Sequence, residues 1–225
     1  MRRAKYSAAT DPPPGPLPVP AKRGSRRMTL EIDPDRLDRR AAYRLMISVI
    51  VPRPIAFVST VSAAGRANLA PFSFFNGVSS QPPIIMLAVA GRKTGPKDTW
   101  RNIEATGEFV VNVVVPEIVD AMVLASGDYP PEVDEIALTG LTPIPSVRVK
   151  PPRIGESPVQ MECRLERLVE VAGTALILGR VLLYHVRDDL MAGDGVDPSR
   201  LRAVARMGGE SFSFQGEIFH KPRPR

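Results

Sequence analysis

Apolar positions along this chain gather in strand-like runs, some continuous and some alternating, with a helical period in a few stretches between them. IAFVSTVS (Ile55 to Ser62) is rich in β-branched residues, AAGR (Ala63 to Arg66) supplies a turn at Gly65, and ANLAPFSF returns. Together they predict a hairpin. PIIMLAVA (Pro83 to Ala90) is a continuous apolar run bounded by Pro and Gly, which predicts a buried strand. FVVNVVV (Phe109 to Val115) predicts a strand buried on both faces, interrupted only by Asn112. SPVQMECRLERLVEVAG and TALILGRVLLYHVRDD predict a long hairpin turning at Ala172-Gly173. AVARMGGESFSFQG predicts one more strand.

Helical periods appear between these runs. Pro34 to Ile50 places Leu37, Ala41 and Leu45 on one face and Arg36, Arg39 and Arg40 elsewhere, with Pro52 and Pro54 as a stop. Pro96 to Phe109 predicts a second helix, with Asp98 or Thr99 as its N-cap and Gly107 as its end. Pro116 to Ser126 predicts a third, with Pro first and acids in its first turn. Residues 127–156 hold several prolines and one short helical piece, PEVDEIALTG, and read as a lid or loop region. DPSRL predicts a helical turn. About seven strands joined mostly by hairpins, with helices after the third and fourth, do not make a doubly wound sheet. The pattern predicts a mainly β fold, an antiparallel barrel with peripheral helices.

Composition changes this picture at the ends. Residues 1–27 are rich in Pro, Ala and Arg around DPPPGPLPVP, and predict a disordered tail before a single domain at 28–225. Met28 stands at that boundary as a candidate translation start. The net charge is +6, yet ten of the thirty Lys and Arg lie in the first 27 and last five residues, and the body is slightly acidic. That placement argues against a nucleic-acid surface. No run approaches the ~18 apolar residues of a membrane span. Arg2-Arg3 lack an apolar segment behind them, so the expected location is the cytoplasm. The single cysteine, Cys163, sits in a strand pattern and is expected to be a buried structural thiol. His185 and His220 are far apart, with no clustered Cys or His, so no metal site is expected. His185 reads as a strand histidine.

Two glycine motifs fail as nucleotide fingerprints. GDGVDP (Gly193 to Pro198) lacks the third glycine, and GRKTGPK (Gly91 to Lys97) has the wrong glycine spacing for a P-loop. The second still suits a phosphate, with Arg92, Lys93, Lys97, Thr94 and Thr99 ahead of a helix N-terminus. A solvated basic turn before a helix explains it equally well. NLAPFSFFNGVSSQPP (Asn68 to Pro83) mixes phenylalanines with small polar groups, unlike a core strand or an ordinary loop. A large, flat, amphipathic ligand needs apolar walls for its faces and small polar groups for its edges. A flavin ring is such a ligand.

VPRPIAFVSTVSAAGRANLAPFSFFNGVSSQPPIIML followed by KDTWRNIEATGEFVVNVV resembles the flavin reductase-like, FMN-binding split-barrel proteins, and SPVQMECRLERLVEV, GRVLLYHV and VARMGGESFSF match later pieces. The resemblance covers about Ala42 to Pro222. It implies a Greek-key split β-barrel that forms a homodimer, with FMN close to the subunit interface. Ser59, Thr60 and Val61 would lie along the ring and ribityl chain. Ala70, Pro71, Phe72 and Ser73 would face the pyrimidine edge through their backbone, and Phe75 and Asn76 would continue that wall. Ser79 and Ser80 would reach the polar tail. Arg92, Lys97, Asp98 and Thr99 would hold the phosphate end, and Arg206 would join from another part of the barrel. Strand alternation sends Phe72 or Phe74 into the core instead. The resemblance further implies hydride transfer from NADH or NADPH to flavin N5, with a partner oxygenase as one recipient of reduced flavin. An electron carrier or flavin-storage protein on the same fold is the alternative, and a protein for another flat ligand such as haem is a third.

Overall fold

The structure, a computed structural model, describes residues 29–222. The predicted tail at 1–27 and Met28 lie outside them. The described residues divide into two units, one ending at Leu37 and one beginning at Asp38. The described part of the first holds a 3₁₀ turn at Pro34–Arg36, capped by the Asp33 carboxylate, which accepts the Asp35 N–H at 3.0 Å. No helix among the described residues is long and apolar enough to cross a membrane.

The second unit is built on seven antiparallel strands: β1 (Ala56–Val61), β2 (Ala67–Phe72), β3 (Phe75–Ser80), β4 (Pro83–Ala90), β5 (Glu108–Val113), β6 (Val159–Val171) and β7 (Thr174–Val186). Their spatial order is β2-β1-β5-β6-β7-β4-β3. The two edge strands, β2 and β3, are joined by only Ser73 and Phe74, so the chain draws the edges of the sheet together. The result is a split barrel. Its hinge is the phenylalanine-rich stretch that stood out in the sequence. Five helices accompany the strands among the described residues: α1 (Arg39–Val49), α2 (Asp98–Thr106), α3 (Val119–Leu124), α4 (Glu135–Thr139) and α5 (Pro198–Leu201), the last at the turn expected in DPSRL.

Strand alternation sorts the apolar residues into two cores. Ala56 and Val58 of β1 point inward with Phe72, Ile85, Leu87, Val89, Phe109, Val111, Cys163 and Ile177. Phe57 points the other way, with Leu69, Met122, Ile136 and Ile154, beneath α3 and α4. Each fully buried Leu, Ile or Phe contributes about 1.5–3 kcal/mol. Trp100 and Ile103 bring α2 into the interior core. The inner face of β1 continues into a polar seam there. Thr60 Oγ1 accepts from the Asn102 amide (3.0 Å) and, at longer range, from the Asn68 amide (3.4 Å). The Asn68 amide also donates to Thr99 Oγ1 at 3.1 Å. All four residues are buried. The seam fixes the first turn of α2 against β1 and β2.

Four local expectations are corrected. β3 lies where no strand was expected, because it is an exposed edge whose apolar Val78 is 56% accessible and marks no buried face. The last expected strand is only two short pieces, Ala205–Arg206 and Phe212–Ser213, pairing with each other and with Arg53–Pro54, because Gly208-Gly209 turn the chain between them. The first helix starts later than Pro34, since the Asp38 side chain accepts the Ala41 N–H (2.7 Å) and caps a fresh start at Arg39. The cap of α2 is neither Asp98 nor Thr99. Lys97 holds that position without a side-chain cap, and Asp98 turns to Arg92 and Arg101. Gly107, at φ 71°, ends this helix as expected.

Candidate functional site

Two cavities lie along β2 and share Pro71 and Ser126 in their walls. The smaller, about 220 Å³, is polar and sits at the head of α2. It gathers Ala70, Pro71, Phe72, Arg92, Lys97, Asp98 and Thr99, all expected site residues. The larger, about 510 Å³, takes in Pro71, Ser73 and Arg206, and its walls include Tyr43, Ile55, Met122 and Phe212. Residues from 70 to 206 in the sequence thus converge on one groove of two adjoining cavities. β2 is an edge strand on this side, so alternate backbone N–H and C=O groups are unused by the sheet.

The polar cavity carries opposed charges. The Arg92 guanidinium bridges Asp98 (3.3 Å) and Asp128 (2.6 Å), and its buried Nε has no partner. Asp128 is itself on an open loop, with its side chain 81% exposed. Lys97 makes no ion pair among the described residues, and it precedes a helix start whose first N–H groups lack a side-chain cap. Glu135 closes the wall and accepts the Leu69 N–H at 3.2 Å. Burial pushes its carboxyl up, against backbone hydrogen bonds from its own residue and Leu69, while Asp98 and Asp134 add to the rise.

The larger cavity is cationic on one side. Arg206 lies over the Phe212 ring at 4.4 Å and donates to the Gly209 carbonyl. Behind Ser73 is Arg53, only 5% exposed, whose guanidinium donates to the Ile47, Ile50 and Met207 carbonyls. Burial pulls Arg53 below the ordinary arginine value; Tyr43 opposes this and Arg206 adds to it.

Residues 48–198 match the model of the flavin reductase like domain. The chain belongs to this family. It is 42% identical over 202 residues to a Halalkalibacterium halodurans protein, spanning 87% of this chain and 97% of that one. Among solved structures it is similar to nitrilotriacetate monooxygenase component B from Bacillus cereus, with TM-score 0.85 and 34% identity over 87% of this chain and all of the other. It is also similar to 2-nitrobenzoate 2-nitroreductase of Pseudomonas fluorescens, with TM-score 0.75 and 28% identity over 87% and 96%. Flavoredoxin of Desulfovibrio vulgaris gives TM-score 0.68 and 25% identity over 76% and 91%.

Not every expected site residue of this flavin reductase-like domain reaches the groove. Ser59, Thr60 and Val61 are buried inside the wall. The Ser59 hydroxyl donates to the Pro152 carbonyl at 2.5 Å, and Thr60 belongs to the seam with α2. Phe75 packs against the interior core. Asn76, Ser79 and Ser80 are exposed on β3, away from both cavities. Phe72 is the inward-pointing member of the phenylalanine pair, and Phe74 instead lies 5.9 Å from the Arg53 guanidinium. Sequence reasoning did not select Asp128, Glu135, Tyr43, Met122, Phe212 or Arg53. The lid expected at 127–156 was the signal for the first two.

His185, read as a strand histidine, is held away from this groove by Glu162 at 2.6 Å. Burial works against the ionised Glu162, yet the Val147 and Arg148 N–H groups and His185 bring its carboxyl below the usual range. Cys163 is buried, and burial beside Glu162 pushes its thiol far up, as expected of an inert structural cysteine.

Proposed function

We propose that this chain is an FMN-binding oxidoreductase that takes hydride from NADH or NADPH. One observation carries the reading: a polar cavity with Arg92, Lys97 and Thr99 at a helix start adjoins a more apolar cavity with Arg206 along the edge of β2, the two sharing Pro71 and Ser126. The donor set fits a phosphate-tailed flavin. The orphaned Arg92 Nε and the uncapped first turn of α2 offer N–H groups to a phosphate. Along Ala70 to Ser73 the sheet leaves alternate backbone groups free, with no N–H at Pro71, and these suit the acceptors and donor of a ring edge. Tyr43, Ile55, Met122 and Phe212 supply apolar surface for the ring faces.

When bound, FMN supplies the hydride acceptor at N5 and the onward path for electrons. The protein's part is positioning and electrostatics. Lys97, Arg92 and Thr99 would hold the phosphate end and so position the flavin along β2. Arg206, in the wall of the larger cavity, would stabilise negative charge on a flavin bound there. Ser59, Thr60 and Val61 act from beneath, as the support of β2 and α2. In a homodimer, the exposed Asn76, Ser79 and Ser80 are available to a second copy. Light scattering at micromolar concentration tests that association, and a flavin-loaded monomer would refute it. Similarity to a structure named as a monooxygenase component supports a partner oxygenase as recipient.

The test is a visible spectrum of the purified protein, then anaerobic NADH and NADPH in turn. A bound-flavin spectrum bleached by either donor supports the reading and names the donor. A flavin spectrum that neither donor bleaches favours the electron-carrier alternative, to which the flavoredoxin similarity points. NAD(P)H oxidation only with added FMN makes flavin a substrate. A colourless protein that neither binds nor reduces FMN overturns the proposal.

A further inference from the structure

We infer that Arg53 is a positioning residue whose buried charge favours the reduced, anionic state of the ring bound against Ser73. The inference rests on the FMN reading above and goes beyond it, since Arg53 lines neither cavity. Its guanidinium donates to Ile47 O (2.7 Å), Ile50 O (2.6 Å) and Met207 O (2.9 Å), and its Nε approaches Ser73 Oγ at 3.4 Å. None of these partners is a carboxylate. A charge removed from water without a counter-ion is costly, and proteins rarely keep one without a use.

The local compensation is partial. Ile47 lies in the last turn of α1 and Ile50 is its C-cap, so their carbonyls are the negative end of that helix. Such an end carries about half an elementary charge. Against it, Arg206 stands directly opposite Arg53 in the strand register and adds a second guanidinium. Among the described residues, exposed Glu210 is the one carboxylate in the wall of the larger cavity. The ring side of the groove is therefore short of negative charge.

Hydride transfer delivers two electrons and one proton to the ring, which leaves it with one net negative charge on the N1 and O2 edge. That charge supplies the missing counter-ion. Ser73 conveys the effect over a short distance: its Oγ takes the Arg53 Nε–H, which leaves its own O–H to donate into the cavity.

The test uses the FMN-loaded protein and compares wild type with Arg53→Gln, Arg53→Lys and Ser73→Ala. Oxidised-FMN affinity is measured by fluorescence, and the two-electron midpoint potential by equilibration with a redox dye. Arg53→Gln is expected to cut the preference for reduced over oxidised FMN about tenfold, a potential about 30 mV more negative. Arg53→Lys keeps the charge and should retain most of the wild-type potential. Gln and Lys variants that shift alike, or not at all, overturn the inference. Should the Gln variant fail to fold, Ser73→Ala decides: a smaller shift of the same sign supports it, and no shift overturns it. Wild-type protein that binds no FMN is a separate result, which removes the functional reading and this inference with it.

Discussion

Asn112 interrupts an otherwise apolar strand, and its removal should be costly for a countable reason. Its amide Nδ2 donates to the Phe57 carbonyl (3.0 Å) and more weakly to Ser59 Oγ (3.4 Å), while Oδ1 accepts the Ile154 N–H (2.9 Å). Asn112, Phe57, Ser59 and Ile154 are all fully buried. Two well-formed bonds contribute about 0.5–1.5 kcal/mol each, and an Ile154 N–H left buried without a partner costs about 1–3 kcal/mol. Asn112→Ala should therefore lose about 2–6 kcal/mol, a large share of the roughly 5–15 kcal/mol that holds a domain together. Urea unfolding followed by the single tryptophan, Trp100, reads this directly, since that side chain is buried in the interior core. Asn112→Asp keeps the acceptor for Ile154 but sets a second oxygen against the Phe57 carbonyl. Its folded-state pKa must rise, so its stability should improve as pH falls. A loss below about 1 kcal/mol for Asn112→Ala, at unchanged denaturant slope, would refute the claim that this amide pins the 152–154 segment to the sheet.

Three further outcomes are expected. Lys97→Ala should weaken FMN binding about tenfold while leaving riboflavin unchanged, because the lost contact is charge-assisted and to the phosphate alone; equal losses for both flavins in a fluorescence titration would remove Lys97 from the phosphate end. Gly179→Ala should cost about 1–3 kcal/mol through overpacking. A Cβ there would lie 2.2 Å from Phe109 Cζ; adding Phe109→Leu should recover part of the loss, and strictly additive losses in denaturation would count against the clash. Glu135→Gln should stabilise the protein at neutral pH. Burial raises the Glu135 pKa in the folded state, so wild-type stability falls as pH rises through that raised value. The amide mimics the protonated form, and its advantage should close as pH drops through the ordinary carboxylate range; a pH-independent difference would reject the assignment.

Strands with a buried face were legible because burial leaves a pattern. IAFVSTV, PIIMLAVA and the long pair from Val159 to Val186 carry β-branched or alternating apolar residues, and each forms a strand of the barrel. Ala172-Gly173 turn that pair at φ 50° and 73°, as the dipeptide suggested. FNGVSS has no such pattern, since β3 is an exposed edge that takes its place by backbone pairing with β4. The opposite failure occurs near the C-terminus. AVAR and SFSF alternate like a strand, yet Gly209 at φ 59° folds the chain back before a ladder can extend.

The site divides along a similar line. Residue types marked Arg92, Lys97 and Thr99 for a phosphate and Asn68 to Pro83 for a flat ligand; resemblance put Ala70 to Phe72, Arg92 and Lys97 to Thr99 in one site, and they do meet in one cavity. Composition could not have joined them. The hydroxyls of β1 show what resemblance could not resolve. A polar side chain in an apolar strand must be matched, but protein and ligand are equally good partners on paper. Here Ser59 finds Pro152, and Thr60 finds Asn102, 93 and 42 residues away. Only the topology brings those partners within reach. Thr60 and Asn68 still serve the groove, because they seat Thr99 and so fix where α2 begins. Lys97 stands at the N-cap position of that same start, so an error at the buried end of the seam would move the charge that would meet the phosphate.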